Sequence, residues 1–317
     1  MKNRSSVQDF LSRHIIDVAF LIMLIGLAVF TDSFLTVKNL INVLRQATVV
    51  GVLGMGMSYV IIAGGIDLSV GSTMALASCL AAAYSTESRN YPLIIAILIG
   101  CVVGAIVGLA NGIIIAYLGV TPFIATLGMQ YAVRGVALVF TGGRPINALT
   151  KAYTNLGKGY VGVIPLPVVI FACIAFIAWF VISKTQFGRY VYAIGGNEKA
   201  ALVSGLRVKP LKCATYVING VTAALAGIIL SARVAVGSPT AGESYDLLAI
   251  TAVVIGGTSN QGGTGGIIQT VLGVFIVSVL NNGMDLLGVS GYYQKIVTGV
   301  VVLFAVIIDR NNVNRKR

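Results

Sequence analysis

The chain has 317 residues, 57% of them hydrophobic and 10% charged, with a net charge of +12. Soluble domains carry about 45–50% apolar and about 25% charged residues, so no water-soluble shell can be built from this composition. A single histidine, His14, and four cysteines without a CxxC pair argue against a His-based metal site, a catalytic dyad or a disulfide framework within the chain.

Crossing about 30 Å of hydrocarbon takes about 20 apolar residues, and such runs recur along the chain without the period-two alternation of a β-barrel. Backbone polar groups in lipid need internal partners, so the runs are read as helices. In chain order, spans are predicted near residues 15–31, 47–63, 69–84, 92–118, 122–140, 165–183, 211–230, 248–258, 267–280 and 293–308. The result is an all-α polytopic membrane protein of about ten transmembrane helices, forming one domain over residues 1–317. The basic segment 1–14 is followed by no small-residue cleavage site, so the first run is read as retained. Residues 32–46 bring Phe34, Leu35, Leu40, Ile41 and Leu44 near one helical face, which suits an amphipathic interfacial helix or, alternatively, part of a span.

The basic residues fix an orientation. Thirteen Lys and Arg lie before the first span, within 184–212 and from 310 onward, against seven in the opposite loops: Lys38, Arg45, Arg89, Arg144, Lys151, Lys158 and Arg233. Positive charge stays inside, so both termini are predicted to be cytoplasmic. Arg134 and Lys295 fall inside or at the ends of spans, where Arg134 either pairs with a carboxylate or snorkels. Cys79, Cys101, Cys173 and Cys213 sit in or beside apolar runs and are read as reduced packing residues.

Three polar interruptions carry the chemistry. Residues 64–72, GGIDLSVGS, separate two runs that are short alone. Asp67 and Ser69 could cap the following helix, either in a broken helix beside a substrate path or in a plain interfacial turn. Residues 256–266, GGTSNQGGTGG, lack the lysine of a phosphate-binding loop, so ATP hydrolysis would belong to another chain. Their glycines suit close backbone packing. Residues 184–210 form the long loop on the cytoplasmic side, where Asn197 can cap a short helix, Glu198 suits its first turn and Gly205 can close it. That helix would expose Ala201, Leu202 and Leu206 as an apolar knob for a partner's groove, unless the loop is merely solvated. A weak repeat links Asn111-Gly112 and the following Leu118-Gly119-Val120-Thr121 to Asn282-Gly283 and the following Leu287-Gly288-Val289-Ser290. Five spans separate the copies, so they would run oppositely, as in inverted five-helix halves with broken or half helices, unless the likeness is chance.

Read together, GGIDLSVGS, TPFIATLGM at 121–129, GRYVYAIGGNEKAALVSGL at 188–206, PTAGESYDL at 239–247, IGGTS at 255–259 and NNGMDLLGVSGYYQKIV at 281–297 resemble the permease subunits of bacterial ATP-binding-cassette importers for ribose, xylose, arabinose and galactosides, the ribose permeases above all. The resemblance covers nearly the whole chain. It implies a non-enzymatic subunit of the bacterial cytoplasmic (inner) membrane that imports a monosaccharide by alternating access. It also implies a second permease copy, cytoplasmic ATPase subunits holding ATP and Mg, and a periplasmic or surface-tethered sugar-binding protein. No cofactor is expected in this chain, and nucleic acid is no partner. The matching loop makes Arg189, Asn197, Glu198, Ala201 and Ser204 the residues expected to couple to the ATPase.

For the substrate pathway the candidates are Asp67, Ser69, Asn111, Thr121, Phe123, Thr126 and Asn282, the polar or aromatic residues of the two repeat-related regions. Phe123 would stack on sugar or simply pack. An ion-coupled transporter would need a carboxylate relay, for which Asp17 and Asp67 are the main candidates and form no cluster. A channel would need charged rings or filter carbonyls that the spans do not clearly supply.

Overall fold

The computed structural model describes residues 15–315, with side chains over residues 20–304 and at Ile307. The basic segment 1–14 with His14, the Asp17 side chain and the basic side chains from Arg310 onward lie outside the described residues. Thirteen helices follow in order among the described residues: α1 Ile15–Phe30, α2 Val37–Ile62, α3 Val70–Tyr84, α4 Leu93–Ala116, α5 Pro122–Thr141, α6 Lys151–Lys158, α7 Leu166–Lys184, α8 Gln186–Gly196, α9 Glu198–Val203, α10 Val208–Val234, α11 Tyr245–Ile255, α12 Ile267–Leu286 and α13 Gly291–Arg315. A two-residue hairpin, β1 Tyr160–Val161 with β2 Ile164–Pro165, joins α6 to α7.

Every predicted apolar run lies on a helix. Among the described residues, α2, α4, α5, α7, α10 and α12 are long and apolar enough to cross a membrane, while Phe20–Phe30, α3 and α11 are shorter apolar helices. The fold is therefore that of a helical, multi-pass membrane protein. Of the two readings of residues 32–46, part of a longer helix is the one found and a separate interfacial helix is not, because α2 runs unbroken from Val37 to Ile62. Thr36 caps it by accepting from the Asn39 amide, and its apolar face continues inward through Val43, Ala47 and Val50.

At the centre stands α10, packed on α2, α3, α4 and α6. Without a hydrophobic drive between helices in lipid, close approach of small residues must supply the packing. Gly100, Gly104, Gly108 and Gly112 recur every fourth residue on α4 and form that stripe. A Cβ at Gly104 would fall 2.8 Å from Ala224 Cβ, and those at Gly108 and Gly112 2.8 Å from the Cα atoms of Val217 and Cys213. The two backbones touch. The main core then fills from α2 outward, with Leu53, Met55, Met57, Ile61 and Ile62 packed among Met74, Val253 and Ile267.

Candidate functional site

The first interruption is a break between α2 and α3. Gly64 turns the chain at φ 77°, in the left-handed region that glycine tolerates. Asp67 then enters the interior, 1% exposed. Its Oδ1 accepts from the Ser69 amide at 2.9 Å, the Ser69 hydroxyl at 2.6 Å and Asn111 Nδ2 at 3.4 Å, and its Oδ2 accepts from Asn219 Nδ2 at 2.9 Å. Asn111 Nδ2 also donates to Ser69 Oγ at 2.8 Å. The Asn111 and Asn219 amide oxygens find no partner, so both amides serve as donors around one carboxylate. Tyr216, one turn from Asn219 on α10, donates to the Ile66 carbonyl at 3.3 Å. The break is thereby tied to α4 and α10 by neutral groups.

Of the predicted pathway residues, Asp67, Ser69 and Asn111 come together, all within 1% exposure and closed to solvent in this conformation. Ser69 stands at the N-cap position of α3 but makes no side-chain cap, because its hydroxyl serves Asp67. Asn282 lies elsewhere, in a reciprocal amide pair with Asn39 of α2 at 2.9 Å in both directions. Thr121 and Phe123 are exposed at the start of α5, and Thr126 is buried with its hydroxyl on the Pro122 carbonyl at 2.8 Å. Sequence reasoning missed Asn219. The available signal was a lone asparagine inside a predicted span, where polar side chains need partners.

The two similar stretches share local features. Asn111 and Asn282 are both buried, and a glycine in the left-handed region follows each helix, Gly119 at φ 74° after α4 and Gly288 at φ 70° after α12. A second break, residues 235–244, separates α10 from α11 as the first separates α2 from α3. Arg134, half-buried on α5, secures it by donating to the Pro239 and Ala241 carbonyls, with Glu243 and Asp246 as nearby acidic groups. Asp246 is buried in the first turn of α11. This break runs antiparallel along α3: a Cβ on Gly237 would meet Ala82, and one on Gly242 would lie 3.2 Å from Gly71 Cα. Lys295 is exposed on α13.

In residues 184–210 the expected cap is present. Asn197 Oδ1 accepts from the Ala200 amide at 2.9 Å, Glu198 opens α9, and Gly205 at φ 83° closes it. Arg189, Asn197, Glu198 and Ser204 are exposed, and Glu198 pairs with Lys212 of α10 at 2.8 Å. Ala201 is the correction. It is 5% exposed, packed inward against Ile194 and Val208, because α8 and α10 cover that face of α9. The apolar side chains that α9 presents outward are Leu202 and Val203, 63% and 89% exposed. Leu206 is partly buried in the same cluster.

A family model described as "Branched-chain amino acid transport system / permease component" matches residues 39–306. The chain is 46% identical over 291 residues to the ribose import permease protein of Bacillus subtilis, covering 91% of this chain and 90% of that one. To the ribose import permease protein of Escherichia coli it is 42% identical over 297 residues, 92% of each chain. To the galactose/methyl galactoside import permease protein of the same species it is 36% identical over 333 residues, 99% of each. No solved structure matches it. With so much of its length matched, the chain belongs to this family of membrane permeases, in which its own motifs already placed it by resemblance.

Proposed function

We propose that this chain is the membrane-spanning permease subunit of an ATP-binding-cassette importer that moves a monosaccharide, ribose or a similar sugar, into the cytoplasm by alternating access. The observation that carries the reading is the near full-length identity with permeases named for ribose and galactoside import. Two permease copies form the path, cytoplasmic ATPase subunits hold ATP and Mg, a sugar-binding protein delivers the cargo, and lipid surrounds the assembly. Both termini face the cytoplasm, and the whole chain is one transmembrane domain.

Ten helices in two inverted five-helix halves, α1–α5 and then α7 with α10–α13, fit the repeated order of long helix, break, short apolar helix and long helix. Each half also carries its buried asparagine and glycine turn. The two breaks, the second of which packs along α3 at Gly71 and Gly242, are where such halves would shift against each other. Asp67, Ser69 and Asn111 belong to the moving wall of the pathway, with Thr121, Phe123, Thr126 and Asn282 as further pathway residues apart from that cluster. Residues 184–210 are the coupling element, with Arg189, Asn197, Glu198 and Ser204 at its surface, Ala201 beneath, and Leu202 and Val203 entering the ATPase groove.

Reconstitution tests the reading directly. Proteoliposomes holding the permease with its ATPase and binding protein are expected to accumulate labelled ribose only when ATP is present. Accumulation driven by a proton or sodium gradient without the ATPase would favour an ion-coupled transporter, and equilibration without accumulation a channel.

A further inference from the structure

The coupling element touches the rest of the protein at an unusual place. Gly195, in the last turn of α8, lies against the end of α2 and the glycine-rich loop between α11 and α12. A Cβ there would collide with the Ile62 carbonyl and come within 2.5 Å of the Gly263 nitrogen. From the other side, a Cβ on Gly262 would lie 2.9 Å from the Gly195 oxygen and from Gly64 N. Two hydrogen bonds fasten the three segments: Gly263 N–H donates to the Ile62 carbonyl at 2.9 Å, and the Tyr192 hydroxyl donates to the Gly265 carbonyl at 2.8 Å.

Ile62 is the residue from which the first break departs, and the loop at 262–265 is reached from the second break through α11 alone. Three pieces of backbone therefore meet with no side chain between them. Side chains can absorb a small displacement by changing rotamer, whereas backbones in contact cannot. On the other flank, α8 and α9 pack on each other through Ile194 and Ala201, and on the start of α10 through Val208 and the Glu198–Lys212 pair.

We infer that this backbone junction of Gly195 with Ile62, Gly64 and residues 262–265 transmits displacement of α8 and α9 to both helix breaks at once, which makes Gly195 and Tyr192 positioning residues for transport. The inference rests on the reading of α8 and α9 as the element that docks the ATPase. A junction of this kind moves the two halves together, so one stroke of the ATPase reaches both walls of the pathway.

The test uses the assembled complex in proteoliposomes, with sugar uptake and ATP hydrolysis measured on the same preparation. Gly195→Ala wedges the junction, whereas Gly196→Ala adds the same methyl group one residue later, where it meets open space. Gly195→Ala is expected to retain the ATPase and its basal hydrolysis while sugar moved per ATP falls about tenfold, a typical size for lost coupling between sites. Gly196→Ala is expected to keep the wild-type ratio. Equal ratios for the two alanine variants would overturn the inference. If Gly195→Ala fails to assemble, Tyr192→Phe decides, since it removes one oxygen and adds no bulk: a reduced ratio supports the junction and a wild-type ratio overturns it. Val203→Asp separates the premise, because loss of the bound ATPase supports docking through α9, and its retention overturns docking whatever Gly195→Ala does.

Discussion

The two helix breaks solve one problem with different chemistry. At residues 63–69 a buried carboxylate sits at the centre and neutral donors from α3, α4 and α10 converge on it. At 235–244 backbone carbonyls sit at the centre and one cation, Arg134 on α5, converges on them. A carboxylate surrounded by amides and a hydroxyl is bound from several sides, so the first break is fixed to α4 and α10 and to the start of α3 at once. The second is held at Gly237 by paired backbone hydrogen bonds with Ile146, and beyond Gly237 by the one long side chain of Arg134. Where the second break meets the first turn of α3, at Gly242 and Gly71, the helix that leaves the firmly held first break lies against the part of the second break that only Arg134 ties down. The part of the second break beyond Gly237 is thus easier to move than the first break.

The largest expected effect breaks the first member of this pair. Asp67→Ala removes the common acceptor of the Ser69 amide and hydroxyl and of the Asn111 and Asn219 amides, leaving buried donors unpaired. At about 1–3 kcal/mol for each buried polar group left unsatisfied, the permease should lose at least about 3 kcal/mol. Thermal unfolding of the purified protein in detergent measures it. Asp67→Asn keeps one accepting oxygen, so its melting temperature should fall between those of wild type and Asp67→Ala. A melting temperature unchanged by Asp67→Ala would mean that the carboxylate does not hold the break.

Arg134→Met should act on the second break with a smaller effect, about 2 kcal/mol, because two carbonyls lose one charged donor while the burden of a partly buried guanidinium disappears with it. Arg134→Lys keeps a donor and should lie closer to wild type. Limited proteolysis within residues 235–244 reads the same event locally: faster cleavage is expected in Arg134→Met and not in Asp67→Asn. If Arg134→Met destabilised as strongly as Asp67→Ala, the contrast between a firm and a loose break would be gone.

Much of this architecture was legible in the sequence, and the exceptions share a cause. The apolar runs mark their helices because length and hydropathy are local properties. So does α9, where Asn197, Glu198 and Gly205 each occupy the position that helix ends require. Helix α8 was not legible, since Gly188, Gly195 and Gly196 lower its propensity, and those at 188 and 195 are tolerated because neighbouring backbone presses against them. The face that Ala201 turns inward depends on where α8 and α10 lie, which no spacing within α9 can tell. The glycine stripe on α4 was visible as a four-residue period but submerged among 38 glycines. Of the Asp67 cluster, the residues flanked by a break or a repeat were found. Asn219, inside an uninterrupted helix, was not.

The smallest expected effect concerns the asparagine that the repeat predicts to be equivalent to Asn111. Asn111 serves the first break directly, whereas Asn282 bonds to Asn39 of α2. Its reciprocal amide pair should then behave as an ordinary interhelical contact. A double-mutant cycle on Asn39→Ala and Asn282→Ala should give a coupling of about 1 kcal/mol, the scale of hydrogen bonds between membrane helices. Because Asn39 Nδ2 also donates to the Phe34 carbonyl at 3.0 Å, Asn282→Ala alone leaves that amide partly satisfied and should be the milder single change. Transport should follow stability in this pair, with sugar moved per ATP unchanged, since neither residue belongs to a break or to the backbone junction. A specific loss of coupling in Asn282→Ala at unchanged stability would instead make the second asparagine a working counterpart of the first, and the two halves would be more alike than their fastenings indicate.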